Sequence, residues 1–280
     1  MKLRLLRIAL IAVTVVAGAG PALATTITQW SFTSIVAAPF NSPPPSTGTG
    51  TAITLGMTNS YNGGNVANDD VLSTSGTATP GFTEFTWRIR GATNNGWATH
   101  AAGAPQYSQG VEFDVSTAGF TGITLGFDWY STTQGIRDLQ VQYNLNVGNA
   151  AGWTNIGGTS PSGTYLATSN DWYIPNNPSS PMILVSLASI AGASNDPNFG
   201  VRLVAAFDST GNVAGDFASA ALSGGQTVIY NNSSGNWRFN NITISGTPLV
   251  SAPEPSTFVL LGIGCLAVLG GRRFGFIKQR

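Results

Sequence analysis

The few side chains in this sequence that could support catalysis do not form a recognisable catalytic motif. His100 is the only histidine, so a Ser-His-Asp triad would need it as the base, and the sequence contains no Gly-x-Ser-x-Gly elbow. Small and polar residues surround it in the segment 97–101, which predicts a loop with a solvated histidine. We therefore expect no catalytic residue and no enzymatic activity.

Two carboxylates on one strand are the alternative source of acid–base chemistry. A glycosidase needs a pair of carboxylates. Glu112 and Asp114 are two residues apart and therefore lie on one face of a strand, and Glu84 and Arg88 share a strand face in the same way. The outward face of an antiparallel sandwich is normally polar, so the spacing favours a solvated face. A secreted glycosidase or esterase is the third interpretation of this sequence.

Acidic residues in turns make calcium the candidate ion. Asn68-Asp69-Asp70 is the best match, because Ca²⁺ binds carboxylate and amide oxygens, and Asp196, Asp208 and Asp216 are further candidates. Turn capping by Asx side chains explains the same residues. No other cofactor is predicted. Cys265, the only cysteine, lies in the apolar tail, so thiol catalysis and cysteine zinc sites are excluded from the rest of the chain.

Aromatic residues in turn-rich regions are the candidate ligand-binding residues. Trp97 and Trp172 stand among Gly, Asn and Asp, where exposed rings could stack on sugar faces. Most tryptophans of a sandwich belong to its core, so ordinary packing is the alternative interpretation of both.

These residues must be positioned by strands, because apolar residues recur with a period of two. Leu139–Val147 is the cleanest example, and at Asn240-Asn241 the alternation changes phase, which predicts a β-bulge. Only 182–191 could form a short helix. Other predicted strands lie at 27–32, 85–89, 111–115, 123–129, 199–207 and 237–244, with shorter runs near Trp153, 183–187 and 227–230. The predicted fold is all-β, an antiparallel β-sandwich, preferably a jelly roll.

The N-terminus has the features of a secretory signal peptide. A basic start and the apolar run 8–16 precede Ala22-Leu23-Ala24, a small-x-small cleavage pattern, so residues 1–24 are predicted to be removed. Residues 25–250 then form the predicted sandwich domain. This body carries five arginines and eleven acidic residues, a net charge of −6, which argues against nucleic acid as a partner.

Residues 251–280 form a separate C-terminal segment. The run from Thr257 to Gly271 is apolar and uncharged, close to the minimum of about 17 residues that span a bilayer. Arg272 and Arg273 follow it directly, and positive residues flanking a span stay on the cytoplasmic side. The sequence therefore predicts a single transmembrane helix with the body outside.

Pro253, Glu254 and Pro255 precede this helix, and two prolines hold the backbone extended, as a protease subsite requires. The order of Pro-Glu-Pro box, short apolar helix and Arg pair resembles the PEP-CTERM sorting signal of Gram-negative bacteria. The resemblance implies that an exosortase, a membrane protease, reads and processes the tail.

The body resembles jelly-roll sandwiches of exported PEP-CTERM proteins and of lectin-like modules. The residues that carry this resemblance are 111–115, 140–143 and 237–244. The first functional hypothesis is an exported surface or matrix protein with a structural or interaction role in the envelope or exopolysaccharide. The second is a carbohydrate-binding module displayed at the cell surface, with polysaccharide as its partner.

Overall fold

The structure is a computed structural model that consists of strands and turns. It describes residues 23–32, 41–57, 86–90, 105–131, 135–157, 164–166, 171–172, 182–207 and 235–249, and contains no helix within these ranges. Accordingly, none of these residues belongs to a helix long and apolar enough for a membrane span. The predicted transmembrane run 257–271 lies outside the described residues.

Twelve strands follow one another along the described chain. They are β1 (Thr25–Trp30), β2 (Thr51–Leu55), β3 (Trp87–Ile89), β4 (Gly110–Asp114), β5 (Phe120–Ser131), β6 (Asp138–Asn144), β7 (Thr154–Asn155), β8 (Thr164–Leu166), β9 (Asp171–Trp172), β10 (Ile183–Ser186), β11 (Gly200–Ala206) and β12 (Trp237–Pro248).

The strands form two sheets in which every pairing is antiparallel. The first, sheet A, has the order β1-β12-β5-β10, with β3 paired to β12 and β9 paired to β5. The second, sheet B, has the order β2-β4-β11-β6-β7, with β8 paired to β6. The chain changes sheet repeatedly between β1 and β6, and β12 returns to pair with β1.

A single aromatic core lies between the two sheets. The ring of Trp30 on β1 packs against Phe113 on β4, with centroids 4.9 Å apart, and Trp87 on β3 contacts the same phenylalanine. The indole N–H of Trp30 donates to the carbonyl of Pro43, and that of Trp237 donates to the carbonyl of Ile136. Both large side chains are thus buried without an unsatisfied donor. The predicted all-β, two-sheet architecture is confirmed; the narrower jelly-roll form stays a prediction.

The period-two pattern located most strands correctly. The predicted bulge is present, since the pairing of β12 with β5 shifts register between Asn240 and Thr243, and Asn241 has a φ of 51°. The segment 182–191, which competed as a helix, contains β10.

The prediction of a strand over Leu139–Val147 was too long. β6 ends at Asn144, whose side-chain oxygen accepts a hydrogen bond from the backbone N–H of Asn146. This Asx turn redirects the chain, which explains why Leu145 is 37% exposed although it continues the alternation. Local side-chain bonding overrode the apolar pattern at this point.

Candidate functional site

Most residues that the sequence singled out for function lie outside the described part of the chain. These are Ala22, Asn68, Asp69, Asp70, Glu84, Trp97, His100, Asp208, Asp216, Pro253, Glu254, Pro255, Cys265, Arg272 and Arg273.

Besides Arg88, Glu112 and Asp114, three of the predicted residues are described. Ala24 is exposed and directly precedes β1, which begins at Thr25. Trp172 lies in β9, where the register places it opposite Tyr130 of β5, so it belongs to a strand and not to a loop. The carboxylate of Asp196 accepts a hydrogen bond from the N–H of Asn198 at 2.8 Å, as turn capping predicts.

The carboxylate of Glu112 was predicted to be solvated, and this was wrong. The inward side chains of β4, Val111 and Phe113, belong to the core, so Glu112 points to the outer face of sheet B, yet it is only 7% exposed. The guanidinium of Arg202 on β11 explains its burial. Arg202 Nε and Nη2 both contact Glu112 Oε2, at 2.6 and 2.5 Å, across directly paired strand positions.

Asp114 occupies the same face as Glu112 at the end of β4. Its Oδ2 accepts a hydrogen bond of 3.2 Å from the hydroxyl of Thr51 on β2. Burial, and after it the charge of Glu112, raise the pKa of Asp114 to about 6. Asp114 therefore gains a proton at a pH at which a solvated aspartate is ionised.

Trp153 approaches Arg202 from the segment between β6 and β7. Its ring stacks on the guanidinium of Arg202, with Cζ 3.8 Å from the ring centroid. Gly200 leaves room for the indole, since a Cβ at that position would lie 3.1 Å from Trp153 Cη2 and 3.0 Å from Asp114 Oδ1. We call Glu112, Asp114, Trp153 and Arg202 the Arg202 cluster.

Amide side chains extend the polar contacts of the Arg202 cluster along the sheet. Gln142 on β6 is the register partner of Arg202 and is 5% exposed. Its Nε2 donates to Asn155 Oδ1 at 2.9 Å, and Asn155 Nδ2 donates to the hydroxyl of Tyr107 at 3.0 Å. Polar groups on this outer face thus bind mainly one another and not solvent.

The two carboxylates of the Arg202 cluster have different partners. Glu112 is bound by Arg202, and Asp114 accepts a hydrogen bond from Thr51. No group of three or more His, Cys, Asp or Glu side chains suited to a metal ion occurs among the described residues.

Sequence reasoning identified two members of the Arg202 cluster and missed the other two. Arg202 alternates with the core residues Val201 and Leu203, which indicates an outward position but not its partner. The partner depends on the register between β4 and β11, which are separated by 86 positions along the chain. Trp153 was interpreted only as part of a short strand, and nothing local indicates that its ring reaches β11.

Comparison with known proteins identifies the C-terminal segment. Residues 251–273 match the PEP-CTERM protein-sorting motif, which includes Pro253, Glu254, Pro255, Arg272 and Arg273. The predicted sorting motif is thereby confirmed. No curated protein matches the chain. The motif implies that the chain is exported and sorted by an exosortase to the cell surface or the extracellular space, with a membrane-anchored C-terminal region.

Proposed function

We propose that this chain is a non-enzymatic structural or interaction protein of the cell envelope or of the extracellular polysaccharide. The observation that carries the proposal is the PEP-CTERM sorting motif at residues 251–273, downstream of a body built from two antiparallel sheets. The tail directs the body to the surface, and the body supplies a stable domain there. Polysaccharide is the partner class that this location makes available.

The chemistry of the described body supports a non-enzymatic role. The predicted candidates for hydrolysis, Glu112 and Asp114, are engaged within the fold. Glu112 is bound by Arg202, Asp114 accepts a hydrogen bond from Thr51, and Trp153 stacks on the guanidinium of Arg202. Side chains held in this way are consistent with a structural role.

The sorting half of the proposal is tested by the mass and location of the mature protein. We expect a chain that starts at Thr25 and ends near Pro253–Pro255 in cells that contain an exosortase. A chain that retains Arg280 is expected when the protease gene is deleted. A chain that retains Arg280 in both strains would contradict processing and make the tail a plain membrane anchor.

Carbohydrate binding is the second candidate function. It is favoured by the aromatic residues of β5 and β9, because Trp172 is paired with Tyr130 in strand register and the ring of Tyr130 lies 5.1 Å from the guanidinium of Arg238. Tyr130 is only half-buried. An aromatic side chain beside a guanidinium, as Tyr130 is, suits stacking on a sugar ring and hydrogen bonding to its hydroxyl groups.

Retention on immobilised polysaccharide tests this candidate. We expect Trp172→Ala and Trp97→Ala to weaken retention on the exopolysaccharide of the producing cell about tenfold or more, as loss of a stacking anchor does. Leu184→Ala is the matched control, since Leu184 is 65% exposed on the same sheet and lacks an aromatic ring. Unchanged retention of both tryptophan variants would exclude these residues as binding anchors.

A structural calcium ion at Asp69 and Asp70 remains a proposal with a direct test. Binding to the folded state alone stabilises a protein by about 2.7 kcal/mol when the free ion is at a hundred times its Kd. We therefore expect a chelator to lower the Tm of the wild type but not that of Asp69→Asn/Asp70→Asn. An equal Tm of the wild type with and without chelator would contradict calcium binding at this site.

A further inference from the structure

A row of polar side chains crosses the outer face of sheet B. The register places Arg202 of β11 beside Gln142 of β6, and Gln142 beside Asn155 of β7. Neighbouring strands lie about 4.8 Å apart, so the row extends over roughly 10 Å. Gln142 is 5% exposed, whereas Arg202 and Asn155 are partly exposed. We call these three residues the Gln142 row.

An aromatic residue stands at each end of the Gln142 row. The ring of Trp153 stacks on the guanidinium of Arg202 at one end, and the hydroxyl of Tyr107 accepts a hydrogen bond from Asn155 Nδ2 at the other. Both aromatic residues are partly exposed. Tyr107 has a φ of 63°, a left-handed conformation that bulky residues rarely adopt and that is found most often at functional sites. The two aromatic residues thus bound a polar strip whose ends are accessible to solvent.

Two polar atoms along this strip are buried without a hydrogen bond. Gln142 donates through Nε2 to Asn155, but its Oε1 has no hydrogen-bond partner in the described part of the chain. Trp153 Nε1 is in the same condition, and each of the two atoms exposes less than 1 Å². An unpaired buried polar atom destabilises a fold. A ligand that supplies the missing partners would therefore be bound favourably.

The missing partners define the chemistry of this ligand. Gln142 Oε1 requires a donor and Trp153 Nε1 requires an acceptor, and hydroxyl groups can serve as either. The guanidinium of Arg202 is paired with Glu112, so it does not provide an uncompensated charge for an anion. Residues 25–250 carry a net charge of −6, which repels polyanions. These requirements favour a neutral chain of sugars over a chain of uronates.

We propose that the Gln142 row, with Trp153 and Tyr107 at its ends, binds a neutral polysaccharide. This inference rests on the polysaccharide partner proposed above and gives it a site on sheet B, separate from Tyr130 and Trp172 on sheet A. Hydroxyl groups of the sugar chain donate to Gln142 Oε1 and accept from Trp153 Nε1. The exposed parts of the two aromatic side chains contact the apolar faces of the sugar rings.

The edge position of β7 explains how a sugar reaches the two buried atoms. β11 is paired on both sides, with β4 and β6, so Arg202 lies on a fixed floor. β7 lies at the end of sheet B and pairs with β6 at only two positions. A small displacement of β7 therefore moves Trp153 and Asn155 without disturbing the centre of the sheet.

Native affinity electrophoresis of the full chain in a neutral detergent tests the proposal. The gels contain dextran, a β-glucan, a mannan or a galactan as the neutral polymers, or alginate as the polyuronate. We expect at least one neutral polymer to retard the wild type more strongly than alginate does. Trp153→Phe, which keeps a ring but removes the indole N–H, should weaken this retardation about fivefold or more, as should Gln142→Leu, which removes the unpaired oxygen.

Thr154→Ala is the matched control for both variants. Thr154 is exposed and lies beside Trp153 in sequence, but it occupies the opposite face of β7 from Asn155, so the retardation should not change. Trp153→Phe should keep the wild-type Tm, because the indole N–H that it removes makes no hydrogen bond within the described chain. A loss of retardation at unchanged Tm then reports ligand contact and not unfolding.

The remaining outcomes separate this site from the carbohydrate-binding function itself. Retardation of the wild type by none of the polymers would overturn both. Retardation by alginate that equals or exceeds that by every neutral polymer would overturn the neutral ligand. Loss of retardation in Trp172→Ala, but not in Trp153→Phe or Gln142→Leu, would overturn the site on sheet B and leave carbohydrate binding in place.

Discussion

At the scale of single residues, the tryptophans of this chain have different roles that composition does not distinguish. Trp30 joins the two sheets and donates its indole proton to the carbonyl of Pro43, whereas Trp153 lies on the outer face and stacks on Arg202. Each role follows from the partner of the ring and of its N–H group. Both can be tested by truncating the side chain.

Replacing Trp30 should lower the free energy of unfolding, and more so when more of its side chain is removed. We expect Trp30→Phe to lower the free energy of unfolding by about 1–3 kcal/mol, because the buried carbonyl of Pro43 loses its indole donor. Trp30→Ala should cost about 3–5 kcal/mol through the cavity that it leaves. Urea denaturation measures both, and the exposed Leu184→Ala should stay within about 0.5 kcal/mol. Equal stability of Trp30→Phe and wild type would show that the indole bond contributes nothing.

The ionisation of Asp114 should make stability depend on pH with a defined sign. Its pKa is raised from 3.8 to about 6 by burial and by Glu112, so the folded state binds the proton more tightly than the unfolded chain. The resulting stability is fully present below pH 3.8 and is lost as the pH rises through 6. Relative to Asp114→Asn, the wild type should therefore lose about 1 kcal/mol between pH 4 and 7, since partial exposure screens the effect. Parallel stability curves for the two proteins would contradict the raised pKa.

At the scale of strands, the close approach of β4 to β11 depends on Gly110. This residue has a φ of 149°, and a Cβ would lie 2.1 Å from the carbonyl oxygen of Leu203. β4 is paired to both β2 and β11, so a disturbance at this position affects the middle of sheet B. The strand sequence Val111–Asp114 alone does not reveal this requirement.

A pair of glycine variants separates backbone conformation from steric clash. Gly119 also has a positive φ, 82°, but a Cβ there meets nothing within 4 Å, so Gly119→Ala should cost about 1–2 kcal/mol from conformation alone. Gly110→Ala should cost about 2 kcal/mol more, because backbone on β11 must move. Thermal unfolding of both variants measures the difference. Equal losses of stability in the two variants would mean that β11 shifts to accommodate the methyl group at position 110 without an additional cost.

At the scale of the whole molecule, the chain combines a folded body, which depends on packing, with a sorting tail, which depends on the order of its sequence features. The body buries aromatic side chains between two sheets, whereas the tail is defined by the order of a Pro-Glu-Pro box, an apolar run and an Arg pair. β1 begins at Thr25 and β12 ends at Pro248, so the sheets occupy the chain between the two predicted targeting segments. We therefore expect that substitutions in the tail leave the folding of the body unchanged.

Changing the sorting motif should alter location but not folding. We expect Pro253→Ala/Glu254→Ala/Pro255→Ala to accumulate as an unprocessed chain in the membrane fraction, because the extended, acidic recognition segment is lost. Ser256→Ala, directly beside the box, is the matched control and should be processed normally. Fractionation and intact mass measure both, and limited proteolysis checks the body. Normal processing of the triple variant would contradict recognition through the Pro-Glu-Pro box.

The sequence by itself determined those features that depend on local order. Strand alternation is visible in any half-buried strand, and the phase change at Asn240-Asn241 correctly predicted a bulge, because side-chain direction has a period of two. The sorting motif could be recognised for the same reason, since its parts are contiguous. The end of β6 was missed because an Asx turn at Asn144 competes with the apolar pattern over a few residues.

Only the tertiary structure decided the environment of the outer face. Glu112 and Asp114 have the spacing of a solvated pair, but the register of β11 brings Arg202 to the first, and the segment before β7 brings Trp153 onto that arginine. Burial, ion pairing and a raised pKa are properties of these long-range contacts. No pattern within β4 contains them, because the free energy of a carboxylate depends on which distant groups the fold places beside it.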